Sequence, residues 1–570
     1  MKPMRLWPFI LATSCYSVAI ALLVFRVGAH TRFQQFYCLD DTYIHLAVAK
    51  NLLVNHSFGV TPHVFAAVCS SVIWPFLVSI LMAIFGVSST IPLVMNVVLS
   101  IAVLFVCQRC YTSLQPHAPL WMQVFLQLSI VFSTSLIMLT FGGMEHVCQV
   151  LLDLMFLYVA ARVLDDRAAK LLPALCVLGA FATATRYEGL FIVFITCLLL
   201  LFQRRVLASV AAGLASLVPV AGMGLYSHMH GSHFLPNSLI IKADPAYAGI
   251  RPVIFTSGQG ILSKYSLQQG LGELFLVALG LLVLSFALRE LLSRRTRYLL
   301  GIFVATCLLQ SQFSRLGWVY RYEAYLIALG LFVLFNAAAE LYVGYHSFPL
   351  ARRKWVELCA GILLITSAFL VRRERTNIYE IPGGAQAIYE QQYQMARFLT
   401  SYYPGAPIAA NDIGAITFLG DHDLVDLAGL ASVEVADLKT KGEFTTDNIR
   451  RIVREHRTRM VVAYPHWYQG ASALPSEWIP VGNWTLAPEH MGFVAGRQVT
   501  FYAVRPEEVG YLASSLRAFS SQLPVDVAQS GLYREGDHFA RLSPAQPLPR
   551  PQPVPLAAYK VRTRSRYLAN

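Results

Sequence analysis

Apolar runs of membrane-spanning length recur through the first two thirds of this chain, and they limit its fold more than any other feature. The first run is Leu6–Val27, and similar runs follow until about Val371, where they stop. About 20 consecutive apolar residues are enough for a helix to cross a bilayer. The chain is 14% charged, against about a quarter in an ordinary soluble protein. The pattern predicts a polytopic α-helical membrane protein with a water-soluble C-terminal part.

The first run is too long for a signal-peptide core and lacks a clear small-residue cleavage site. We therefore expect it to be the first transmembrane helix. The other apolar segments are about Ser71–Phe85, Ile91–Cys107, Leu120–Phe141, His146–Ala161, Leu171–Thr183, Leu190–Phe202, Val206–Tyr226, Leu271–Leu288, Tyr298–Leu309, Ala324–Tyr342 and Val356–Val371.

The distribution of basic residues predicts the orientation. Ser71–Phe85 is short and contains Pro75, so we expect it to lie on the membrane or to dip into it and return. If it does not cross, the basic clusters of the later loops fall on the same side as Lys2 and Arg5. These clusters are Arg109, then Arg162, Arg167 and Lys170, then Arg204 and Arg205, then Arg289, Arg294, Arg295 and Arg297, then Arg352, Arg353 and Lys354. The positive-inside rule makes that side cytoplasmic and predicts about eleven crossings, with the C-terminal part outside.

The formal net charge of +13 is therefore a topology signal first, and no nucleic-acid motif accompanies it. We divide the chain into a membrane domain at 1–371, whose first outer loop is 29–70, a soluble α/β domain at 372–540, and a Pro-rich basic tail at 541–570. In the soluble domain the pattern predicts helices at Gln386–Tyr403 and Thr446–Arg457. It predicts strands at Pro407–Ala410, Ala415–Leu419, Asp423–Leu427, Met460–Tyr464, Gly492–Ala495 and Val499–Val504.

Two adjacent carboxylates, Asp40 and Asp41, follow the first apolar run. Ile44, Ala47 and Val48 recur at helical spacing after them, which predicts a short amphipathic helix beside the bilayer. The free N–H groups at a helix start keep a carboxylate ionised, as a catalytic base or metal ligand requires. One of the two could instead only cap the helix.

The same topology brings further acids, bases and aromatic residues to the outer face. Each alone suits an interfacial anchor, but residues from several loops together indicate a site. They come from the loops containing Glu145, Arg186 with Glu188, Asn237 with Lys242, and Arg315 with Tyr320 and Arg321. The aromatic stretch Tyr464–Tyr468 could stack on a sugar or pack in the core.

Cysteine use agrees with this arrangement. Cys38 and Cys69 fall together in the first outer loop and could form a disulfide there. Cys107 and Cys110 have the spacing of a CxxC pair, but without further ligands we expect them to lie in the core.

Several motifs together resemble the GT-C glycosyltransferases, and the likeness extends to about Asp437. The likeness is strongest to the bacterial branch that includes mycobacterial arabinofuranosyltransferases. The motifs are Asp40–Ile44 with Ala49–Leu52, Ser70-Ser71 before Trp74, Gly143–Glu145, Thr185–Gly189, Leu235–Ser238 with Lys242, Tyr320–Tyr322, Asp412–Ala415 and Asp426–Leu430. The chain departs from the family pattern at Thr42, where Ala is usual, and at Tyr187, where Pro is usual.

The resemblance implies a GT-C-like fold and an inverting transfer from a polyprenyl-phosphate sugar, with an acidic residue of the first loop as catalytic base. It further implies a pentofuranose such as arabinofuranose as a candidate sugar, and a cell-envelope glycan, lipid or protein as acceptor. The site would be extracytoplasmic, in a bacterial inner membrane. Neighbouring helical positions point about 100° apart, so the two aspartates should differ in role. We assign the base to Asp40, and an orienting, sugar-binding or metal-holding role to Asp41.

The residues expected to bind substrate are His45, Glu145, Arg186, Glu188, Asn237, Lys242, Arg315, Tyr320 and Arg321. A departing phosphate needs Arg, Lys or a divalent cation beside it. No cofactor is certain, but Mg²⁺ or Mn²⁺ held by Asp40, Asp41 and Glu145 is a candidate. No glycine-rich phosphate loop indicates a nucleotide-sugar donor.

Two alternatives belong to other classes. A transporter or flippase of lipid-linked sugars would also have many helices, but such proteins show repeated halves and ionisable groups at the bilayer midplane. A sensor whose outer domain binds glycans would leave the charged loops without a purpose.

Overall fold

The computed structural model describes residues 6–166, 169–242, 260–263, 266–267, 270–288, 291–314, 316–317, 319–345, 350–490 and 492–535. Its helices in the membrane part are α1 (Trp7–Thr31), α2 (Asp41–Val54), α3 (Trp74–Phe85), α4 (Ile91–Leu114), α5 (Leu120–Ser133), α6 (Leu136–Gly142), α7 (His146–Asp166), α8 (Leu172–Thr185), α9 (Gly189–Phe202), α10 (Val206–Met229), α11 (Asn237–Lys242), α12 (Leu271–Ala287), α13 (Arg294–Phe313) and α14 (Ala324–Gly344). Proline occupies the first turn of α1, α3 and α4, where its missing N–H costs no hydrogen bond.

Six spans in the described residues are long and apolar enough to cross a membrane. They are Trp7–Thr31, Ile91–Leu114, Leu120–Gly142, His146–Asp165, Val206–Met229 and Ala324–Gly344. The segment Ser71–Phe85, which we expected not to cross the membrane, contains α3. The 12 residues of α3 extend about 18 Å, which is shorter than a bilayer core of about 30 Å. The helices α8 and α9 have 14 residues each and are also short. Eleven crossings therefore stays a prediction.

One long helix, α15 (Leu350–Glu390), joins the membrane part to the soluble part. Its 41 residues correspond to about 60 Å. The boundary predicted at residue 372 thus falls inside a continuous helix, and no linker separates the two parts there.

The C-terminal part contains a six-stranded sheet with the order β2-β1-β3-β5-β4-β6, and we call this part the outer domain after the location that the sequence predicts for it. The strands are β1 (Pro407–Ala410), β2 (Asp423–Asp426), β3 (Met460–Ala463), β4 (Ile479–Thr485), β5 (Gln498–Ala503) and β6 (Ala528–Ser530), and the helices are α16 (Gln392–Tyr402), α17 (Gly414–Leu419), α18 (Val433–Thr440), α19 (Thr446–Glu455) and α20 (Pro506–Phe519). Strand β1 pairs in parallel with β2 and β3, whereas β3, β5, β4 and β6 pair antiparallel. The predicted fold class, a helical membrane part followed by an α/β domain, is confirmed.

Two predicted strands are wrong. Ala415–Leu419 lies in α17, because a short apolar run that is buried on every side does not distinguish a strand from a helix. Gly492–Ala495 is irregular, and the positive φ of Gly492 (43°) fits a turn. Strand β4 was missed because Pro480 and Gly482 interrupt its pattern, where the structure has a register shift.

The helix α2 is buried rather than laid beside the bilayer, which corrects the amphipathic prediction. Every residue from Thr42 to Asn51 is buried, because α2 packs between α3 on one side and α17 of the outer domain on the other. The outer domain therefore rests directly on the first outer loop.

The basic loops meet at the other end of the bundle. Arg295 lies 3.0 Å from Asp165, and Arg205 donates to a backbone carbonyl of α7 near the same helix end. At the opposite end of α1, Gln35 donates to the carbonyl of Ala385 in α15, close to the outer domain. The basic residues Arg205 and Arg295 thus lie at one end of the bundle, and the outer domain lies at the other. The charge pattern predicted that these two would be on opposite sides of the membrane.

The sequence left open whether Cys38 and Cys69 pair. In the structure both are buried free thiols. Cys107 and Cys110 are buried in α4, as expected for core residues.

Candidate active site

Asp40 connects the first outer loop to the outer domain. Gly414 N donates to its Oδ2 at 2.6 Å, and Ala415 N donates to its Oδ1 at 2.8 Å. Asp40 precedes α2 without capping it, and its carboxylate instead accepts the free N–H groups of α17. Both carboxylate oxygens are therefore used, in a side chain that is only 8% exposed.

Lys50, near the end of α2, binds the other end of α17. Its Nζ donates to the carbonyls of Thr417 and Phe418 at 3.2 and 3.0 Å, and to Asp421 at 3.1 Å. An acid thus meets the N-terminus of α17 and a base meets its C-terminus, which complements the helix dipole. The helix α2 holds the outer domain at two points.

A second carboxylate lies beside Asp40. Asp412 accepts hydrogen bonds from Gln392 Nε2 at 2.8 Å and from the hydroxyl of Tyr464 at 2.9 Å. Burial, and next the charge and hydrogen bond of Asp412, hold the pKa of Asp40 well above its usual range, although the two backbone N–H groups oppose the shift. The shift comes from the loss of hydration and from the nearby negative charge, both of which disfavour the ionised form of Asp40.

Asp41 points elsewhere, as the 100° helical step predicts. Its Oδ2 lies 2.5 Å from Arg321 Nη2, and its side chain is 29% exposed. Asp41 lines a cavity of about 410 Å³, which we call the aspartate cavity. The outer domain contributes Gln392, Asn411, Asp412, Lys439 and Trp467 to the walls of this cavity.

A second cavity, of about 380 Å³, lies on the other side of Arg321, and we call it the arginine cavity. Its polar wall holds Ser70, Arg186, Glu188 and Arg321, and its apolar wall holds Leu190, Phe191, Leu235, Leu239 and Phe313. Tyr322 lines both cavities, and its ring lies 5.1 Å from the guanidinium of Arg321. The Asp41–Arg321 pair and Tyr322 therefore separate the two spaces.

Arg186 already has two carboxylate partners. Glu188 accepts from its Nε and Nη2 at 3.0 and 2.8 Å, and Glu145 accepts from its Nη1 at 2.8 Å. Burial opposes the ionisation of both acids, but the Arg186 charge, with His45 acting on Glu145, keeps their pKa values below the usual range. This buried network holds the 145 and 186 loops together and leaves Arg186 less able than Arg321 to take a new anion.

His45 and Asn237 play supporting parts. His45 Nε2 lies 3.7 Å from Glu145 Oε2, and burial lowers the pKa of the imidazole. Asn237 is buried and donates to the carbonyl of Leu430 at 3.3 Å. It thus joins the 236–238 loop to the 426–430 loop, two segments that the sequence had already singled out.

Three predicted site residues remain: Tyr320, Arg315 and Lys242. Tyr320 lies under the guanidinium of Arg373 at 5.1 Å and lines neither cavity. Arg315 and the side chain of Lys242 lie outside the described residues.

The three acids named as candidate metal ligands have other partners in the structure, and a divalent cation at this site stays a prediction. Both oxygens of Asp40 accept N–H groups, while Asp41 and Glu145 each bind an arginine. The described residues do hold one group with ligand-like spacing, Glu390, His490 and Asp526, but these line neither cavity.

Sequence analysis missed several cavity residues. Asp412 was identified as a turn residue and within the family motif, and Trp467 within the aromatic stretch. Gln392 and Lys439 had no distinguishing signal, because each reaches the aspartate cavity only through the tertiary fold.

Comparisons with known proteins add to this geometry. Residues 385–502 match one family model, described as a domain of unknown function (DUF8728). No curated protein matches the sequence. Among solved structures, ArnT from Cupriavidus metallidurans bound to undecaprenyl phosphate superposes with a TM-score of 0.52 at 11% identity, over 87% of this chain and 99% of ArnT.

Two other structures have lower scores. The archaeal oligosaccharyltransferase AglB from Archaeoglobus fulgidus, in complex with an inhibitory peptide and a dolichol-phosphate, gives a TM-score of 0.45 at 12% identity, over 91% of this chain and 76% of AglB. The arabinofuranosyltransferase AftD from Mycobacteria gives 0.42 at 13% identity, over 87% of this chain and 40% of AftD. The superposition on ArnT shows that this chain shares the fold of that protein.

Proposed function

We propose that this protein is a membrane glycosyltransferase that transfers a sugar from a polyprenyl-phosphate donor to an acceptor hydroxyl. The observation that carries the proposal is the contact between Asp41 and Arg321 at the boundary of two cavities. One cavity offers a cation and an apolar wall, and the other offers a carboxylate and polar groups. Substitution at an anomeric carbon requires both environments, on opposite sides of the sugar.

The arginine cavity suits the donor. Arg321 is buried and pairs with one carboxylate, so a phosphate can share its guanidinium more easily than that of Arg186. Leu190, Phe191 and Phe313 provide an apolar path for a polyprenyl chain, and Phe313 is 67% exposed on the bundle surface. The fold shared with ArnT, whose structure contains undecaprenyl phosphate, supports a polyprenyl-phosphate donor.

In the proposed reaction, the acceptor oxygen attacks the anomeric carbon from the aspartate cavity as its proton passes to the Asp41 carboxylate. The bond from the anomeric carbon to the phosphate oxygen breaks, and polyprenyl phosphate departs with its charge next to Arg321. A single displacement of this kind inverts the anomeric configuration. When the donor is present, its phosphate attracts the guanidinium of Arg321. The ion pair between Arg321 and Asp41 then weakens, so the Asp41 carboxylate can accept the proton more readily.

This assignment differs from the sequence-based one, which gave the base to Asp40. Both aspartates line the aspartate cavity. Asp40, however, uses both oxygens on backbone N–H groups of α17, whereas Asp41 is the one that pairs with Arg321, the arginine proposed to bind phosphate. We therefore propose Asp41 as the base and Asp40 as the residue that holds the outer domain over the site. A pentofuranose such as arabinofuranose, an acceptor in the cell envelope and an extracytoplasmic site in a bacterial inner membrane complete the proposal.

The test is sugar transfer by purified protein in proteoliposomes, with a radiolabelled polyprenyl-phosphate arabinofuranose and hexose donors in parallel. General-base catalysis contributes about 10²–10⁴-fold, so Asp41→Asn should reduce turnover by that order. Arg321→Lys should raise the donor KM more than the acceptor KM, because it keeps the charge and loses the planar guanidinium. Unchanged turnover in Asp41→Asn would contradict the assignment.

The same vesicles separate this function from the flippase alternative. A transferase moves label to the acceptor, whereas a flippase moves the intact labelled lipid to the other leaflet. Movement of lipid without any transfer would refute the proposal.

A further inference from the structure

Two residues by which the outer domain lines the aspartate cavity carry polar atoms without a hydrogen-bond partner among the described residues. Asn411 and Gln392 are 4% and 1% exposed. Among the described residues, Asn411 Nδ2 and Gln392 Oε1 have no hydrogen-bond partner. Leaving a buried donor or acceptor unpaired costs about 1–3 kcal/mol, so such pairs favour a ligand that can both donate and accept.

An exposed indole stands next to these groups. Trp467 lines the aspartate cavity and is 43% exposed. It also lines a third cavity of about 290 Å³, together with Lys439, Phe444 and Tyr468. The buried hydroxyl of Tyr468 is a further polar group without a partner in the part of the chain that the structure describes.

The aspartate cavity and the third cavity adjoin at Trp467 and Lys439, which line both, and we treat the two together as one groove. The groove begins at Asp41 and passes over the indole to Tyr468. It presents an aromatic plane between polar groups of both hydrogen-bonding types. A carbohydrate matches this pattern, since its ring has an apolar face and its hydroxyls both donate and accept.

We propose that the outer domain binds a glycan acceptor of more than one sugar unit along this groove, with a hydroxyl of the terminal unit at Asp41. The proposal rests on the proposed function and names its acceptor class as a carbohydrate, rather than a peptide or a simple lipid. One sugar unit stacks on Trp467, Asn411 and Gln392 bind the unit nearest the base, and Tyr468 binds the unit farthest from it.

Binding of short arabinan, mannan and glucan oligosaccharides to the purified protein tests this inference, with saturation-transfer difference NMR as the measurement. Trp467→Ala should weaken binding of the preferred oligosaccharide by about tenfold, and Trp467→Phe should retain most of it, because an aromatic plane remains. Tyr468→Phe removes only an unpaired hydroxyl, so the protein should stay folded while binding weakens about two- to tenfold. Gln469→Ala, at an exposed neighbouring position, is the matched control and should bind like the unaltered protein.

A donor-side measurement separates failure of this inference from failure of the proposed function. Thermal stabilisation by polyprenyl phosphate reports donor binding and should be equal in Trp467→Ala, Tyr468→Phe and the unaltered protein. If that stabilisation and sugar transfer are present but no oligosaccharide binds, or if Trp467→Ala binds as well as the unaltered protein, the glycan groove is refuted alone. If neither transfer nor donor stabilisation occurs, the proposed function fails as well.

Discussion

Asp40 and Asp41 are adjacent in sequence and face different surroundings. Both line the aspartate cavity, but the carboxylate of Asp40 accepts two backbone N–H groups of the outer domain, whereas that of Asp41 pairs with Arg321. Substitution of Asp40 should therefore change mainly the stability of the protein, and substitution of Asp41 should change mainly its turnover. A substitution that keeps the size of the side chain can separate them.

We expect Asp40→Asn to lower the free energy of unfolding by about 1–3 kcal/mol, because the amide nitrogen of Asn cannot accept the second backbone N–H group, whereas both oxygens of the Asp40 carboxyl group can accept in either protonation state. Turnover per folded molecule should fall far less than in Asp41→Asn. Thermal unfolding followed by tryptophan fluorescence, together with the transfer assay, checks both halves. A loss of turnover about 10²-fold in Asp40→Asn without loss of stability would return the base to Asp40.

The pH dependence of stability provides a second readout of the same variant. Because burial and Asp412 raise the pKa of Asp40, the folded state holds its proton at pH values where the unfolded chain has lost it. The contribution of Asp40 is therefore fully present below the unfolded pKa of about 3.9 and is lost as pH rises through the folded pKa. The unaltered protein should lose stability with rising pH across this window more steeply than Asp40→Asn, and parallel curves would contradict the shift.

At the scale of elements, α2 and α17 form the joint between the membrane part and the outer domain. The bounds of β1, β2 and β3 could be predicted to within a residue or so, because each is a short apolar run between turn signals. The structure of α17 could not be predicted, since its N-terminal partner, Asp40, lies 374 residues earlier in the chain. The same distance explains why the sequence brought both aspartates to the site but could not show that the carboxylate of Asp40 contacts α17.

We expect Lys50→Met to destabilise the protein at this joint. Lys50 is 3% exposed and satisfies two carbonyls at the end of α17, so its loss leaves buried acceptors unpaired at a cost of about 1–3 kcal/mol. Lys441→Met, at an exposed position, is the matched control and should change the melting temperature little. Limited proteolysis should also release the outer domain faster from Lys50→Met. Equal melting temperatures in the two variants would show that Lys50 is not part of the joint.

At the scale of the whole molecule, the outer domain and the basic loops lie at opposite ends of the helical bundle. Arg295 and Asp165 pair at one end, and α15 reaches the outer domain at the other. The charge pattern alone predicted this separation, because loop charges report orientation without tertiary contacts. It could not predict the two cavities, since their walls come from loops that meet only when the outer domain rests on α2.

The last prediction uses α15, which connects both ends. In a variant without its native cysteines, a cysteine at Gly470 should react with a membrane-impermeant maleimide in intact spheroplasts. A cysteine at Lys354, in the second turn of α15, should react only after the membrane is opened, because the positive-inside rule makes the basic end cytoplasmic. Both single-cysteine variants are made in the same cysteine-free protein, so the labelling of each serves as the control for the other. Labelling of Lys354→Cys in intact spheroplasts, with Gly470→Cys protected, would invert the topology and place the aspartate cavity on the cytoplasmic side.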